Sequence, residues 1–348
     1  MNKPPSSSGF DLARHMLPSI ALCIAVVLLV VLFCYLIDVL LLAFAGVLLA
    51  ILLRTPATWL ARHTRLSEGW ALCIVIVVVF SLLGAAGWFF GHSLTQELST
   101  LVQRWPQMLA KVRGRFAEYG WLIGEIQPAD WLKSDSGTLG RGISAIAATF
   151  GALGSFVIIV FTGIFFAVNP GVYIRGLLQL VPLAQRPRAA EVVKAIGETL
   201  RRWLVGQVLL MVLIGSAAGI GLGLLGVPLA FALGLITGLL EFVPYVGPIM
   251  SAILAVLVAV GETPELALYV LALFLVIHSL EGYVLTPLVQ ERAVYLPPAA
   301  LLLAQVVLGI LVGIVGIMLA TPLAATFLVI TQKLYVHDVL GQPEKPHK

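Results

Sequence analysis

Several apolar stretches, each about long enough to cross a lipid bilayer and free of charged residues, constrain the fold of this chain more than any other feature. A helix needs roughly 20 apolar residues to cross the hydrocarbon core, and the first such stretch runs from Leu17 to Ile37. Of the 348 residues, 60% are hydrophobic and 11% are charged, whereas soluble domains have about 45–50% apolar and about 25% charged residues. The sequence therefore predicts an all-α, polytopic integral membrane protein.

The N-terminal stretches predict both a hairpin and an orientation. Asp38 alone separates the stretch 17–37 from the next one, 39–53, which predicts a tight hairpin of two helices. Basic residues flank this hairpin on both sides, at Lys3, Arg14, Arg54, Arg62 and Arg65. Because cytoplasmic loops are enriched in lysine and arginine, we expect both ends of the hairpin, and both termini of the chain, in the cytoplasm.

The whole chain is expected to have about six full spans plus two broken or re-entrant helical hairpins, which makes roughly eight or more membrane segments. The predicted order is a cytoplasmic tail (1–16), transmembrane helices (17–90), an external amphipathic helical segment (91–142), a transmembrane helix (143–168), a cytoplasmic amphipathic loop (169–202), a helix with the first broken hairpin (203–260), a helix with the second (266–330) and a cytoplasmic tail (331–348).

Both connecting segments show the spacing of an amphipathic helix. From Leu94 to Tyr119 apolar residues recur every three or four positions, which is one helix face. That face packs on its own protomer, on lipid headgroups or on another subunit. Between Ala189 and Trp203 a second apolar face lies beside basic residues, which is typical of a helix lying on the inner membrane interface.

Two apolar stretches are broken in corresponding places. The stretch 227–260 is interrupted by Glu241-Phe-Val-Pro-Tyr-Val-Gly-Pro248, and the stretch 298–330 by Gly309, Gly313, Gly316 and Thr321-Pro322. Prolines and glycines in such numbers do not continue one helix. Each broken stretch follows an ordinary span, and the two units run in opposite directions across the membrane. Such an inverted repeat indicates a transporter with its binding site near the bilayer midplane. If each half of a broken stretch crosses the membrane fully, both termini keep their location, but the two units resemble an inverted repeat less.

Ionised side chains at bilayer depth cost about 2.5–3.5 kcal/mol on insertion scales, so the few present need a reason. Glu241, beside the backbone groups freed by Pro244 and Pro248, can hold a proton or a cation; alternatively it caps a helix start at a wet hairpin tip. His278 and Glu281 lie three residues apart on one helix face. They form either a titrating pair or an interfacial pair that fixes helix depth.

Other polar residues have several possible roles. Gln207 and Gln305 either donate to the freed hairpin carbonyls or hold helices together, and Arg292 contacts substrate, contacts headgroups or sets topology. The full set of candidate substrate or coupling-ion residues is Glu241, Pro244, Tyr245, Gly247, Pro248, His278, Glu281, Pro287, Arg292, Gln305, Gly316 and Pro322.

The sequence also lacks several signals. It contains no GxxxxGK[ST] loop, no HExxH or GxSxG motif and no metal-spaced Cys/His cluster, so we expect neither an enzyme nor a cofactor or resident metal. The formal charge of +4 is spread over connecting segments, which argues against a nucleic-acid partner. The expected partners are the lipid bilayer and a small-molecule or ion substrate.

The C-terminal half carries a family resemblance. Its motifs are Glu241 to Pro248, then Pro287-Leu-Val-Gln-Glu-Arg-Ala-Val-Tyr-Leu-Pro297, then the glycine-rich run that ends at Ala320-Thr-Pro322. With them the chain resembles the autoinducer-2 exporter family, also called PerM-like permeases, over nearly its whole length. The resemblance implies a bacterial inner-membrane protein, a homo-oligomer such as a pentamer, that exports a small polar signal molecule or, as in other members, exchanges sodium for protons.

The sequence suggests three functions. The first is secondary export of a small polar solute of the autoinducer-2 type, with Glu241 in coupling or substrate binding. The second is sodium (cation)/proton antiport through Glu241, His278 and Glu281. The third is a non-transporting membrane scaffold that holds partners with the external segment, which the interrupted helices argue against.

Overall fold

A computed structural model of the protein describes residues 8–82, 84–85, 88, 154–290 and 297–341. The external segment 91–142 and Arg292 lie outside these residues, so the predictions made for them stay predictions. Within the described residues every regular element is helical. The helices are α1 (Ser8–His63), α2 (Glu68–Leu82), α3 (Gly154–Val168), α4 (Pro170–Gln179), α5 (Arg186–Leu224), α6 (Ala230–Leu240), α7 (Val246–Glu262), α8 (Pro264–Leu280), α9 (Thr286–Gln290), α10 (Pro298–Val312) and α11 (Ile314–Ile330).

Four helical stretches in this part of the chain are long and apolar enough to cross a bilayer: Leu36–His63, Leu183–Leu224, Pro264–Leu288 and Ile314–His337. α3 and α4 together make a fifth candidate, bent by 89° at the break between them. An all-α, polytopic membrane protein is therefore confirmed. The number of about six full spans and the cytoplasmic position of the termini stay predictions.

The predicted hairpin at Asp38 is wrong, because α1 is one helix of 56 residues that runs through this position. Neither proline nor glycine occurs from Ser19 to Ala45, so nothing there favours a turn. An aspartate inside a helix costs no more than about 0.7 kcal/mol relative to alanine, and Asp38 is exposed. Without a turn at Asp38, the N-terminal end of α1 and the residues around Arg62 do not lie on the same side of the membrane as the two ends of one hairpin.

The predicted boundary between a cytoplasmic loop and a span at 202/203 does not appear as a break. α5 is a single helix of 39 residues. Leu200 and Trp203 are buried against Leu41 and Leu48 of α1 and Leu319 of α11. The apolar face near the start of α5 therefore contacts other helices of the protein, and the position of this segment at the inner membrane interface stays a prediction.

α5 and α6 pack through their backbones. A Cβ on Gly215 would lie 2.9 Å from the Cα of Gly238, and a Cβ on Gly234 would overlap the Cα of Gly219. Each helix thus carries two glycines four residues apart, the spacing that lets membrane helices approach closely. The core that α5 shares with α7 and α8 is built from residues such as Ile214, Val258 and Phe274.

Both broken stretches are helical hairpins in the structure. The first consists of α6 and α7, and the second of α10 and α11, separated by Gly313 with φ 71°. The first hairpin has arms of 11 and 17 residues, shorter than the roughly 20 that an upright span needs. α11 continues as a π-helical segment, Thr331–His337, into a stretch of 24 residues that is long enough to cross.

The predicted interruption at Thr321-Pro322 is wrong, since Pro322 lies inside α11. Membrane helices tolerate proline because neighbouring helices and hydroxyl side chains compensate for the lost backbone bond. Here Pro322 is buried, and its missing N–H frees the Met318 carbonyl one turn earlier. The Thr326 hydroxyl donates to the Pro322 carbonyl over 2.8 Å. Among the glycines of this stretch, Gly313 ends a helix, whereas Gly309 and Gly316 lie inside α10 and α11.

Candidate functional site

The break of the first hairpin is a tight backbone turn. α6 ends at Leu240 and α7 begins at Val246, whose N–H donates to the Pro244 carbonyl over 2.8 Å. Tyr245 between them has φ 66° and ψ −51°. These are the angles of a γ-turn with positive φ, which is rare and strained. Such strain persists only where the surrounding structure holds it, and it marks candidate functional sites.

Two buried glutamine side chains bind the carbonyl groups that this break exposes. Gln207 of α5 donates from Nε2 to the Glu241 carbonyl, and Gln305 of α10 donates to the Pro244 carbonyl over 2.9 Å. Both side chains are buried. Donation to the hairpin carbonyls was one of the two roles predicted for these amides, and the structure shows it. Gln305 thereby joins the second hairpin to the break of the first.

The Glu241 side chain is buried at this break, with 2% of its surface exposed. Its Oε2 atom has no hydrogen-bond partner among the described residues. The residue that precedes α7 is Tyr245, and no side chain caps that helix. A cap by Glu241 on the start of α7, the alternative role for this carboxylate, is therefore not observed.

His278 and Glu281 complete the site. They lie at the end of α8 and the start of a π-helical segment, Glu281–Leu285, a kind of irregularity that is frequent at functional sites. The His278 Nδ1 atom lies 2.8 Å from Glu281 Oε2, which confirms that the two side chains are within reach. One ligand atom from each of Glu241, His278 and Glu281 lies within 4.8 Å of the other two. Sequence spacing predicts the His278–Glu281 pair but not its meeting with Glu241.

The other predicted site residues among those described are not part of the cluster of Glu241, His278 and Glu281. A Cβ on Gly247 would overlap the Leu240 carbonyl, and a Cβ on Gly316 would overlap the Leu308 carbonyl, so both glycines let the arms of a hairpin meet. Pro248 lies in the first turn of α7, and its carbonyl accepts a hydrogen bond from Ser251. Pro287 is exposed in α9. Gly247, Pro248 and Gly316 therefore shape the hairpins, and Pro287 lies outside both hairpins.

A groove of about 720 Å³ lies along α5 and α6. Residues such as Gly215, Gly219 and Phe231 line it, and none of its lining side chains is titratable. The groove therefore offers apolar contact surface but no group that moves a proton or binds an ion. We place the candidate site at the cluster of Glu241, His278 and Glu281.

A second polar cluster, not predicted from sequence, joins the end of the second hairpin to the start of α5. Arg188 donates from Nε and Nη2 to the two carboxylate oxygens of Asp338, over 3.0 and 2.8 Å, and also pairs with Glu191. The Arg188 hydrogen bonds hold the pKa of Asp338 below its ordinary value. Residues 150 positions apart meet here, so sequence spacing gave no signal for the contact.

Comparison with known proteins agrees with this architecture. A family model described as AI-2E family transporter matches residues 21–335. A candidate transport protein of Mycobacterium tuberculosis, MT0215, is 31% identical over 302 residues, which cover 81% of this chain and 79% of the relative. A candidate permease of Escherichia coli, PerM, is 28% identical over 292 residues, 80% of this chain and 82% of PerM.

A further relative matches over a shorter length. A candidate transport protein of Bacillus subtilis, YueF, is 28% identical over 186 residues, 52% of this chain, so that the chain spans about half (50%) of the length of YueF. The family match, by contrast, includes the first hairpin, α8 and the second hairpin. This multi-pass membrane protein therefore belongs to the AI-2E family of transporters.

Proposed function

We propose that this protein is a secondary transporter that exports a small polar solute of the autoinducer-2 type, and that Glu241, His278 and Glu281 couple export to proton movement. The observation that carries the proposal is the Glu241 carboxylate, which is buried at a helix break with one oxygen that lacks a partner in the described part of the chain. A buried polar group without a partner costs about 1–3 kcal/mol. We therefore expect this carboxylate to have a function that compensates for its cost in stability.

The position of the cluster supports this role. Transporters of several folds bind substrate or coupling ions at discontinuous helices, and here the first hairpin brings its broken backbone and Glu241 together. Two carboxylates within 4.8 Å of each other repel when both are ionised, so a proton or a cation between them stabilises the pair. Gain and loss of that proton would change the polarity of the hairpin break, and thereby its affinity for a polar solute.

The surface of the helices supports a place in a membrane and leaves room for other subunits. Large apolar side chains are exposed along several helices, among them Phe161, Ile310 and Phe327. Contiguous exposed apolar surface belongs against lipid or another protein chain. The proposed location is the bacterial inner membrane, and the proposed assembly is a homo-oligomer such as a pentamer.

The test is release of preloaded autoinducer-2 from liposomes that contain the purified protein, with and without a pH gradient. We expect gradient-driven release by the wild type and by E262Q, because Glu262 is an exposed carboxylate at the far end of the same hairpin. E241Q, which keeps the size of the side chain, should release no more than empty liposomes. Wild-type release by E241Q contradicts coupling through Glu241.

Cation/proton exchange is the second candidate, because the three titratable side chains at the breaks, Glu241, His278 and Glu281, come together within 4.8 Å. Its test is the collapse of a preset pH gradient in proteoliposomes on addition of sodium, followed with a pH-sensitive dye. Exchange predicts a collapse that strengthens at alkaline pH and disappears in E241Q, H278Q and E281Q. Autoinducer-2 release without any response to sodium rejects this candidate.

A further inference from the structure

The cluster of Glu241, His278 and Glu281 has the composition of a metal site. Two carboxylates and an imidazole each offer one ligand atom within 4.8 Å of the other two. Tetrahedral ligands at about 2.0–2.2 Å from a metal ion lie roughly 3.3–3.6 Å apart. Small side-chain rotations are thus enough to bring the three atoms to coordinating distance.

One oxygen of the cluster lacks a partner in a buried position. Glu241 Oε2 has no hydrogen-bond partner within the described ranges, although the residue is only 2% exposed. The His278 Nδ1 atom lies 2.8 Å from Glu281 Oε2, so a proton lies between these two atoms when no ion is bound. A metal ion in the place of this proton would bind Nδ1, Glu281 and the unpartnered Glu241 oxygen together.

The ligand types select the class of ion. Hard cations such as Na⁺, Mg²⁺ and Ca²⁺ prefer oxygen ligands, but two carbonyl groups of the break already accept hydrogen bonds. The Pro244 carbonyl accepts from both Val246 N–H and Gln305, and the Glu241 carbonyl accepts from Gln207. An imidazole with two carboxylates suits a borderline transition metal, and two ionised carboxylates balance a charge of +2.

We propose that Glu241, His278 and Glu281 bind one divalent transition-metal ion of the Zn²⁺, Mn²⁺ and Fe²⁺ class. Three protein ligands leave at least one coordination position open to water or to an oxygen of the solute. The ion joins the break of the first hairpin to the end of α8 and stabilises that contact. A part for the ion in transport rests on the proposed function, whereas its binding does not.

Binding is measured on the full-length protein in detergent, with any affinity tag removed and bound metal stripped by a chelator. Co²⁺ is the probe, because its absorption spectrum reports coordination, and Zn²⁺ is the competitor. We expect about one Co²⁺ per chain, displaced by Zn²⁺ but not by Na⁺ or Ca²⁺ in excess. A wild-type protein that binds no Co²⁺, or releases it to Na⁺ or Ca²⁺, overturns the proposal.

Variants assign the ligands. E241Q, H278Q and E281Q should each weaken Co²⁺ binding by at least the 10- to 100-fold that loss of an outer-shell partner costs. E262Q and H337Q are the matched controls and should bind as the wild type does, since His337 lies in the separate cluster with Asp338. Wild-type thermal unfolding of metal-free H278Q in detergent distinguishes a lost ligand from a disturbed fold. Wild-type affinity in all three variants overturns the proposal.

Different results contradict the proposed export of autoinducer-2 and the proposed metal site. Binding of Co²⁺ at these residues by a protein that releases no autoinducer-2 supports the metal site and contradicts export of that solute. Release of autoinducer-2 by a protein that binds no Co²⁺ contradicts the metal site alone. The binding and release assays are run on the same preparation, so that a difference between them does not come from the sample.

Discussion

The first hairpin, α6 and α7, and the second, α10 and α11, are alike in how their arms meet. In each, a glycine of the returning arm faces a carbonyl of the first arm: Gly247 faces Leu240 and Gly316 faces Leu308. This contact leaves no room for a Cβ. Close approach of backbones is what stabilises helix pairs in lipid, where apolar side chains gain little from burial.

The breaks themselves differ. The first is a turn of residues 241–245 with a buried carboxylate and a strained Tyr245, whereas the second is Gly313 alone. From Pro298 to Gln332 the sequence contains no charged residue. The comparison teaches that both hairpins share a close glycine contact, whereas of the two breaks only the first carries a titratable side chain, Glu241.

The largest effect is expected from G247A and G316A. An added Cβ would overlap a backbone carbonyl in both hairpins, so the arms must separate, which costs at least the 1–3 kcal/mol typical of overpacking. G223A is the control, because the nearest atom to a Cβ there is 4.0 Å away. Thermal unfolding in detergent gives the comparison. If G316A has the same melting temperature as the wild type, the arms of the second hairpin do not approach each other as those of the first do.

A smaller loss is expected when the amide that connects the hairpins is removed. Q305L deletes the donor to the Pro244 carbonyl, which keeps its bond from Val246 N–H, and polar contacts between membrane helices are worth about 0.6–2 kcal/mol. Q207L removes a donor to the Glu241 carbonyl and should cost more. Equal stability of Q305L and the wild type in the same unfolding assay argues that the hairpins are not coupled through this contact.

Removal of a polar group from the second hairpin should not harm the protein. The Thr321 hydroxyl is buried, with no partner in the part of the chain that is described, so T321V should leave stability unchanged or raise it by up to about 1 kcal/mol. T326V removes a hydroxyl that is hydrogen-bonded to Pro322 and should lower stability slightly. A T321V protein that is less stable than T326V would reveal a polar function in the second hairpin.

The smallest effect concerns the Arg188–Asp338 contact at the end of the second hairpin. The pKa of Asp338 is lowered from its ordinary value of 3.8, mainly by the Arg188 hydrogen bond. A lowered pKa means that the contact contributes stability above the ordinary pKa and loses it as pH falls through the lowered one. The protection of residues 331–337 against hydrogen exchange, measured relative to the intrinsic rate at each pH, should therefore fall only in acid. In D338N, residues 331–337 should already be less protected at neutral pH, and their protection should not fall further in acid.

Much of the fold can be predicted from residue type and order. Uninterrupted apolar runs predict the membrane helices, and Pro244, Gly247 and Gly313 mark the two breaks. Two of the failures have one cause. Asp38 and Pro322 look like interruptions in a list of residues, but a helix in lipid keeps its backbone bonded and tolerates either residue when its neighbours compensate.

The site was only partly predictable. His278 and Glu281 share a helix turn, so their contact follows from spacing. The meeting of this pair with Glu241, and that of Arg188 with Asp338, depends on how distant helices pack. The glycine pairs Gly215/Gly219 and Gly234/Gly238 offered an unused signal, since two such spacings on neighbouring helices predict the α5–α6 contact that positions the first hairpin.

One flux measurement tests whether transport depends on the first break and not on the second. The initial rate of autoinducer-2 release from proteoliposomes under a pH gradient is compared for the wild type, E241Q and T321V, at equal amounts of folded protein. The account predicts that E241Q falls to the rate of empty liposomes while T321V keeps the wild-type rate. Wild-type release by E241Q, or an equal loss in both variants, would contradict it.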